Sequence, residues 1–482
     1  MSKSLKENIQ ELIDSNLLDI RKDEQGNLYG MIKDRTGNVG GYLLYENDFK
    51  IAFRKLYNFQ YNEMLSIQDV QSAVDVIEVI ATDDVAEIEV CKRIFNNGYQ
   101  YAYELNRDSG ECVWIEGGEI TITRTEGIIF RHAANHADQV EPDLEVKPKK
   151  LLGYIKKHFN LRSENDAKLM TLYLVTSLWG LIINHPILVL VGEKGSSKSM
   201  TLRKLERLID PKSSDLSSGI PKGNDGLALR LYNSYFIALD NLSSLTRKIS
   251  DLLATAITGG CITKRALYRN SGEIILDIKA VIAINGVSLV TKESDLLDRS
   301  LIINLDRIAP DKVLTEEELW SEFEQDRPKI LGCCFKIIAI ALNDMEAIET
   351  KEKIRMADFH VACIKVGRAL GWSEDEVSNL LWQNQKNINE CTLDEDIVAL
   401  CVIELMQKKR KYVNSVSGLL TDLLEVADEN SITSTMLPKT PNHLSTRLNK
   451  AKSNLQSEHG ITYYIKNIGT FKQITIEKKM KN

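Results

Sequence analysis

Four short apolar runs give the chain its clearest pattern: Pro186-Ile-Leu-Val-Leu-Val191, Tyr235-Phe-Ile-Ala-Leu239, Ala280-Val-Ile-Ala-Ile284 and Leu301-Ile-Ile-Asn-Leu305. Each lacks the apolar-polar alternation of a half-wet strand, so each predicts a strand covered on both faces. Helical stretches separate them. Strands alternating with helices predict a parallel α/β sheet. Upstream the pattern changes. After a short helical opening, Val85-Ala-Glu-Ile-Glu-Val90 and Gly118-Glu-Ile-Thr-Ile-Thr-Arg124 alternate with period two, which predicts a β-rich, mixed α/β amino-terminal domain over residues 1–140.

Asp138-Gln-Val-Glu-Pro-Asp-Leu-Glu-Val-Lys-Pro148 is polar with two prolines and predicts a linker, placed at 141–150. Ser163 with Asp166 marks a helix start, and the apolar run from Leu169 to Ile183 stops at Asn184-His185-Pro186. That run is shorter than the roughly 20 residues a bilayer requires, so it predicts a buried helix. An α/β core is expected over 151–310, a helical region over 311–410 and a carboxyl-terminal unit over 411–482. In that last unit a Pro-started helix, Thr440-Pro-Asn-His-Leu-Ser-Thr-Arg447-Leu-Asn-Lys450, precedes two alternating runs, Ile461-Thr-Tyr-Tyr-Ile465 and Phe471-Lys-Gln-Ile-Thr-Ile476. Helix followed by ribbon is winged-helix geometry. No internal repeat is evident.

With 482 residues, 43% hydrophobic and 27% charged, the chain is long enough for two to four cores. The net charge of -7 excludes a uniformly cationic nucleic-acid coat. Its distribution is uneven, because residues 431–482 hold nine Lys or Arg against two acids, a local balance of +7. The eight cysteines are scattered, with no pairs at zinc-ligand spacing, and are expected to be reduced core thiols. The opening Met-Ser-Lys-Ser-Leu-Lys-Glu-Asn lacks the apolar run of a signal peptide, so a cytoplasmic protein with no membrane partner is expected. His132 and His136, four apart, have the spacing of two metal ligands on a helix, but no third ligand is evident.

The strongest chemical signal is Gly192-Glu193-Lys194-Gly195-Ser196-Ser197-Lys198-Ser199, directly after one predicted strand and opening a predicted helix. A triphosphate needs backbone amides converging on its oxygens, a helix amino terminus behind them, a lysine for the β- and γ-phosphates and a hydroxyl on magnesium. The glycines, Lys198 and Ser199 supply these. ATP and Mg²⁺ are the expected cofactors.

The usual Walker A loop has Gly before the lysine, whereas this chain has Ser197. The form Gly-x-x-Gly-x-small-Lys-Ser is that of minichromosome-maintenance (MCM) helicases, and the chain resembles that branch of the AAA+ P-loop ATPases. The resemblance implies that Asp240 holds Mg²⁺ through water, that Asn285 is the sensor at the end of the next strand, and that Arg299, in Ser294-Asp-Leu-Leu-Asp-Arg299, is an arginine finger acting on a neighbouring subunit. Arg355 is then a candidate second sensor; the alternative is an ordinary helix-surface arginine. Where the family places a catalytic Glu after Asp240, this chain has Asn241, which orients a water but takes no proton.

Between Asp240 and Asn285, two alternating runs flank a polar turn in Ile262-Thr-Lys264-Arg265-Ala-Leu-Tyr-Arg269-Asn-Ser-Gly272-Glu-Ile-Ile-Leu276, the pattern of a β-hairpin. In MCM-like motors a hairpin at this position grips the phosphate backbone inside the ring channel. That implies Arg269 as the phosphate contact, seconded by Lys264 and Arg265; a solvated charged hairpin is the plain alternative. In the tail, Arg447, Lys450 and Lys452 on the helix, with Lys466 and Lys472 on the wing, are the expected DNA contacts. In other AAA+ proteins such a unit contacts protein instead.

Residues 186–476 together resemble the MCM-like AAA+ helicases of bacterial mobile elements, including staphylococcal cassette-chromosome and pathogenicity-island replication proteins. The resemblance implies a homohexameric ring that unwinds duplex DNA at a replication origin, tracks single strands, and relies on a separate primase or polymerase. Two other readings remain open: a non-translocating ATP-dependent DNA-binding switch, such as a regulator or loader, and a scaffold with a vestigial nucleotide site.

Overall fold

The computed structural model describes residues 4–479 apart from 25, 36, 38, 82–84, 107–108, 126, 133–134, 217–223, 243–244, 266–272, 287–293, 310–313, 351, 396, 408, 431–436 and 469–470. The first part holds α1 (Leu5–Asp14), an antiparallel meander of β1 (Leu18–Lys22), β2 (Leu28–Lys33) and β3 (Val39–Leu43), then α2 (Asn47–Tyr61) and α3 (Ile67–Ile80). The pattern along the chain did not single out the last two helices. Their signal is local: a capping box joins Ser66 and Asp69, and α3 buries Val70, Ala73, Val74 and Ile77 at helical spacing.

Six short strands follow: β4 (Glu89–Cys91), β5 (Ile94–Asn96), β6 (Gln100–Asn106), β7 (Glu111–Glu116), β8 (Glu119–Arg124) and β9 (Ile128–Phe130). β5 to β8 form an antiparallel sheet in sequence order, while β4 pairs with β9 in parallel. After α4 (Leu151–His158) comes α5 (Glu164–Ser177), capped by Ser163 and buried on every side from Leu169 to Ser177. Among the described residues, no helix is long and apolar enough to cross a membrane.

The next stretch runs β10 (Ile187–Val191), α6 (Lys198–Ile209), α7 (Asn224–Asn233), β11 (Phe236–Leu239), α8 (Arg247–Thr258), β12 (Cys261–Arg265), β13 (Glu273–Asp277), β14 (Val281–Gly286), α9 (Ser294–Leu297) and β15 (Ser300–Asn304). The four expected apolar runs become β10, β11, β14 and β15, which form one parallel sheet in the order β11-β14-β10-β15. The fold is thus mixed α/β around a parallel sheet. β12 and β13 pair as an antiparallel hairpin outside it.

Four helices follow, α10 (Glu316–Leu342), α11 (Ala357–Leu370), α12 (Glu374–Glu395) and α13 (Ile397–Gln407), and the chain ends with β16 (Lys411–Ser415), α14 (Val416–Glu429), α15 (Pro441–His459), β17 (Ile461–Ile468) and β18 (Phe471–Lys478). The two expected terminal strands are joined by a third, since β16 pairs with β18 to give the order β16-β18-β17.

Buried apolar side chains group into one large cluster from Ile94 to Ile388, one from Val398 to Ile476 and one from Ile9 to Ala81, with two small satellites. Strands β5 to β7 therefore share a core with the parallel sheet. A buried charge reinforces that union: the Arg93 guanidinium, fully enclosed, meets Asp210 at the end of α6 at 3.0 Å, and Lys212 meets the other carboxylate oxygen at 2.5 Å. The cysteines fit the expected buried thiols only in part, because Cys112, Cys333, Cys334, Cys363 and Cys401 are buried but Cys261 is exposed and Cys91 half-buried.

The segment expected as a linker is instead a packed strap. Gln139 is buried and accepts from Arg327 at 3.0 Å, and the Asp143 N–H donates at 2.9 Å to the carbonyl of Pro328 inside α10. One turn on, a Cβ at Gly332 would stand 1.8 Å from the Asp143 carbonyl oxygen. Backbone meets backbone there, so no side chain can yield. Gly332→Ala is expected to lower stability by about 1–3 kcal/mol or more, as overpacking of a close contact does. Denaturant unfolding measures it, and a wild-type midpoint would contradict this packing.

Candidate nucleotide site and nucleic-acid surfaces

Because β10, β11 and β14 run parallel, their carboxyl ends lie along one edge of the sheet, the usual place for a ligand crevice in such folds. The loop Gly192 to Ser197 leaves β10 at that edge and leads into α6. Gly192 is required sterically, since a Cβ would stand 2.5 Å from Ser196 Oγ and 2.7 Å from the Leu305 carbonyl. Gly195 (φ 82°) and Ser197 (φ 61°) both take left-handed backbone, and Ser197 provides no side-chain cap to α6. The helix amino terminus is thus left open to an anion, with its dipole behind it.

Lys198 opens the helix, and its Nζ folds back to the carbonyls of Gly192 (2.5 Å) and Glu193 (2.8 Å) and to Ser196 Oγ (3.3 Å). Partial burial lowers its pKa, with Asp240 opposing. Ser199 Oγ donates to Asp240 Oδ1 at 2.8 Å. The hydroxyl and the carboxylate are hard oxygen donors of the kind Mg²⁺ takes, so Ser199 would hold the ion directly and Asp240 through water. Glycine cradle, uncapped helix end, movable ammonium and hydroxyl-carboxylate pair together fit a nucleoside triphosphate with its metal.

Asn285 is buried and fixes the adjoining turn through its amide: Nδ2 donates to Asp240 Oδ1 at 2.5 Å and Oδ1 accepts from the Asn241 N–H at 2.6 Å. Its carbonyl also accepts from Leu242 at 3.1 Å, and Asn241 itself is left-handed (φ 57°). Among the described residues, Asp240 is the only carboxylate bonded to Ser199 or Asn285.

Arg299 lies at the other edge. Its carbonyl accepts from Ile187 N–H at 2.9 Å, and Ser300 pairs with Ile187, the first residue of β10. The loop begins five residues later, roughly 16 Å away at about 3.3 Å per residue. An arginine side chain does not span that distance. Instead Arg299 pairs with Asp295, whose other oxygen receives Arg355 at 2.6 Å, and Arg355 also meets Asp298 at 3.1 Å. Against the effect of burial, hydrogen bonds from Arg355 and Arg299 hold the Asp295 carboxyl below its ordinary pKa. The two arginines form one cluster around Asp295, which the sequence did not single out; its i, i+4 spacing from Arg299 was the available sign.

The two spaced histidines acquire a third neighbour. Glu104, on β6, places Oε1 2.7 Å from His132 Nε2 and Oε2 3.5 Å from His136 Nε2. The sequence hid it because β6 is far away along the chain. Arg93 Nη2 nevertheless stands 3.0 Å from His136 Nδ1 and must donate to it, which puts the neutral ring's proton on Nε2, facing Glu104. That tautomer offers no lone pair to a metal; His132 is hydrogen-bonded to Glu104, whereas His136 Nε2 is buried without a hydrogen-bond partner.

Of the proposed DNA contacts, Arg269 lies outside the described residues, while Lys264 and Arg265 belong to β12, opposite Ile274 and Glu273 in the hairpin register. In the carboxyl-terminal unit Thr440 caps α15 with Pro441 at its first position. Arg447 and Lys450 lie on that helix, Arg447 half-buried. Lys452 is exposed and stands 5.4 Å from the Tyr463 ring, Lys466 stands 5.3 Å from the Tyr464 ring, and Lys472 is exposed on β18. Tyr463 is buried, so of the two pairs only Lys466 with the exposed Tyr464 presents a ring as well as a charge at the surface, a combination that suits an anionic polymer with stackable bases.

Fold and site thus define a parallel α/β protein with an anion-receptive glycine-rich loop. Residues 154–377 match the model of the actinomycete integrative conjugative element replication protein, and residues 398–481 match the AICE RepA C-terminal domain. The chain is similar over both stretches to replication proteins of mobile elements. No curated protein matches it. Solved structures with similarity include the NrS-1 C-terminal region in its A form apo state (12% identity, 99% of this chain and 100% of that one, TM-score 0.42). Another is the SCCmec type IV Cch active helicase (9% identity, 95% and 93%, TM-score 0.48).

The left-handed Ser197 yields a test. That conformation costs a non-glycine residue roughly 1–2 kcal/mol, so Ser197→Gly is expected to leave stability unchanged or raise it by up to about 1 kcal/mol after the added chain freedom of glycine. Ser197→Val should lower it. Thermal unfolding of the two variants checks the order, and the reverse order would show that the loop is held differently.

Proposed function

We propose that this chain is an ATP-hydrolysing, MCM-like AAA+ helicase that assembles as a homohexameric ring and unwinds duplex DNA during replication initiation of a mobile element. The observation that carries this reading is the placement of Lys198, Ser199, Asp240 and Asn285 at one sheet edge while Arg299 and Arg355 sit at the other. A nucleotide held by one subunit is then completed by the arginines of the next. Mg²⁺-bound ATP supplies the phosphoryl group whose transfer to water drives the motor.

The chain's own groups divide the work. Lys198 exchanges the Gly192 and Glu193 carbonyls for phosphate oxygens, Ser199 and Asp240 hold the ion, and Asn285 keeps Asp240 and the Asn241 turn in register. Arg299, with Arg355 beside it, leaves Asp295 to neutralise charge developing on the neighbour's phosphoryl group. The β12–β13 hairpin, with Arg269, Lys264 and Arg265, grips one strand electrostatically. The carboxyl-terminal unit, a winged helix in this reading, recognises the origin through Arg447, Lys450, Lys452, Lys466 and Lys472. In this reading residues 1–140 form an accessory region whose strands β5 to β7 pack into the core of the AAA+ unit at 151–310, residues 141–150 cross α10 as a strap, and 311–410 form the lid. Priming falls to a separate primase or polymerase, and the site of action is the cytoplasm.

A second reading, a non-translocating ATP-dependent switch, is favoured by Asn241 in place of an acid. A forked-duplex strand-displacement assay separates them: unwinding that requires ATP and disappears in Lys198→Ala belongs to the motor, and ATP binding without unwinding belongs to the switch.

The division of the site between subunits predicts a complementation. Lys198→Ala and Arg299→Ala are each expected to lose at least about 100-fold in ATP turnover, with Arg299→Ala retaining nucleotide affinity. Mixing equal amounts should restore activity at about a quarter of the interfaces, those pairing an intact lysine with an intact arginine. A mixture as inactive as its components, or normal turnover by Arg299→Ala alone, would remove the shared site.

A further inference from the structure

Lys92 lies between β4 and β5 and is only 7% exposed, an unusual setting for an ammonium. Its hydrogen bonds go to two main-chain carbonyls. Nζ donates to Leu231 O at 2.7 Å, in the last turn of α7, and to Lys279 O, in the short link between β13 and β14. Arg131, immediately after β9, does the same beside it: its guanidinium donates to Tyr232 O at 2.5 Å and lies 3.7 Å from the centre of the Tyr232 ring. Two cations of the amino-terminal strands thus meet the carboxyl end of α7, where the helix dipole places negative partial charge.

What these carbonyls belong to gives the contact its meaning. α7 packs against α8 and against β13. Lys279 is two residues past the end of β13, and the neighbouring Ile278 N–H closes the hairpin root on Gly260 O at 3.2 Å. The same link leads into β14, which carries Asn285 next to its last residue. One ammonium therefore joins the amino-terminal strands, α7 and the root of the β12–β13 hairpin. A solvated lysine serves no such purpose, and an apolar side chain here would leave both carbonyls without this donor.

We propose that Lys92 is a positioning residue through which the amino-terminal strands set the placement of the β12–β13 hairpin, and hence the chain's grip on single-stranded DNA. The second half rests on reading that hairpin as the DNA contact. The charged groups facing Lys92 are Arg131, Asp277, Asp210 and Lys212. Burial first, then Arg131, push the ammonium down to about 7, with Lys212 adding and Asp277 and Asp210 opposing. Opening the root into water returns the amine to the ordinary lysine range, so opening takes up a proton above pH 7. By linkage, the closed root becomes more favoured as pH rises from about 7 towards 9.

The test uses the full chain without nucleotide, as wild type, Lys92→Met and Lys92→Gln, the last retaining an N–H donor. Hydrogen-exchange protection of the β12 and β13 amides, corrected for intrinsic rates, and anisotropy of a labelled oligothymidylate are read from pH 6 to 9. We expect Lys92→Met to reduce protection and oligonucleotide affinity by about tenfold each, the scale of a lost charge-assisted hydrogen bond, and to lose the rise in protection with pH. Lys92→Gln should recover part of the protection without the pH dependence. Basal ATP turnover, which Lys92 does not touch, should stay within about twofold of wild type. Wild-type protection with wild-type pH dependence in both variants would overturn the proposal whatever DNA does. Lost protection with unchanged oligonucleotide affinity would uphold the brace and overturn the hairpin as DNA contact. Should Lys92→Met fail to fold, Lys92→Gln and Arg131→Met carry the same two readouts.

Discussion

The parallel bonding of β10 between β14 and β15 is the constraint from which the candidate site follows. Every strand of that sheet points the same way, so Val191, Asp240 and Asn285 emerge at one edge and Arg299 at the other. Main-chain hydrogen bonds fix this register, and both faces are covered, so a one-residue slip would turn buried side chains into unmatched ones. Chemistry is then divided by geometry. A glycine-rich loop at an uncapped helix end and a pair of arginines around Asp295 are thereby held apart by the length of a strand.

The loop itself shows how little freedom that edge leaves. Gly192 is bounded by Ser196 and by the Leu305 carbonyl just past the end of β15, so the packing of the sheet edge itself requires the glycine. Asn285 serves a similar double purpose, since its amide fills the donor and acceptor needs of Asp240 and Asn241 at once. Such satisfied polar groups beside a crevice hold functional side chains in place without a ligand present.

Buried charge unites the amino-terminal strands with the sheet. Arg93, Asp210 and Lys212 form an enclosed network, and Lys92 and Arg131 reach carbonyls at the end of α7. Removing one member of such a network leaves its partner buried without a counterpart, so these groups tie the strands to one arrangement on the sheet. Gly332 and Asp143 act in the same sense by contact alone, because only a residue without a side chain lets the strap cross α10.

The sequence by itself determined the elements whose burial direction is written in neighbouring residues: the four apolar strands, the glycine-rich turn opening a helix at Lys198, the pairing strands β12 and β13, and the capped helix after Thr440. Each follows from a period or a turn preference acting over fewer than about ten residues. Helix α3 was legible too, through its capping box and helical spacing. Only the tertiary structure decided which distant groups meet: Glu104 with the two histidines, Asp295 between two arginines, β16 beside β18, Lys92 against the hairpin root, and Cys261 outside the core. Local patterning says which side of an element is buried but not against what, because partner choice is fixed by chain topology and by the desolvation of polar groups that come together only once the chain has closed.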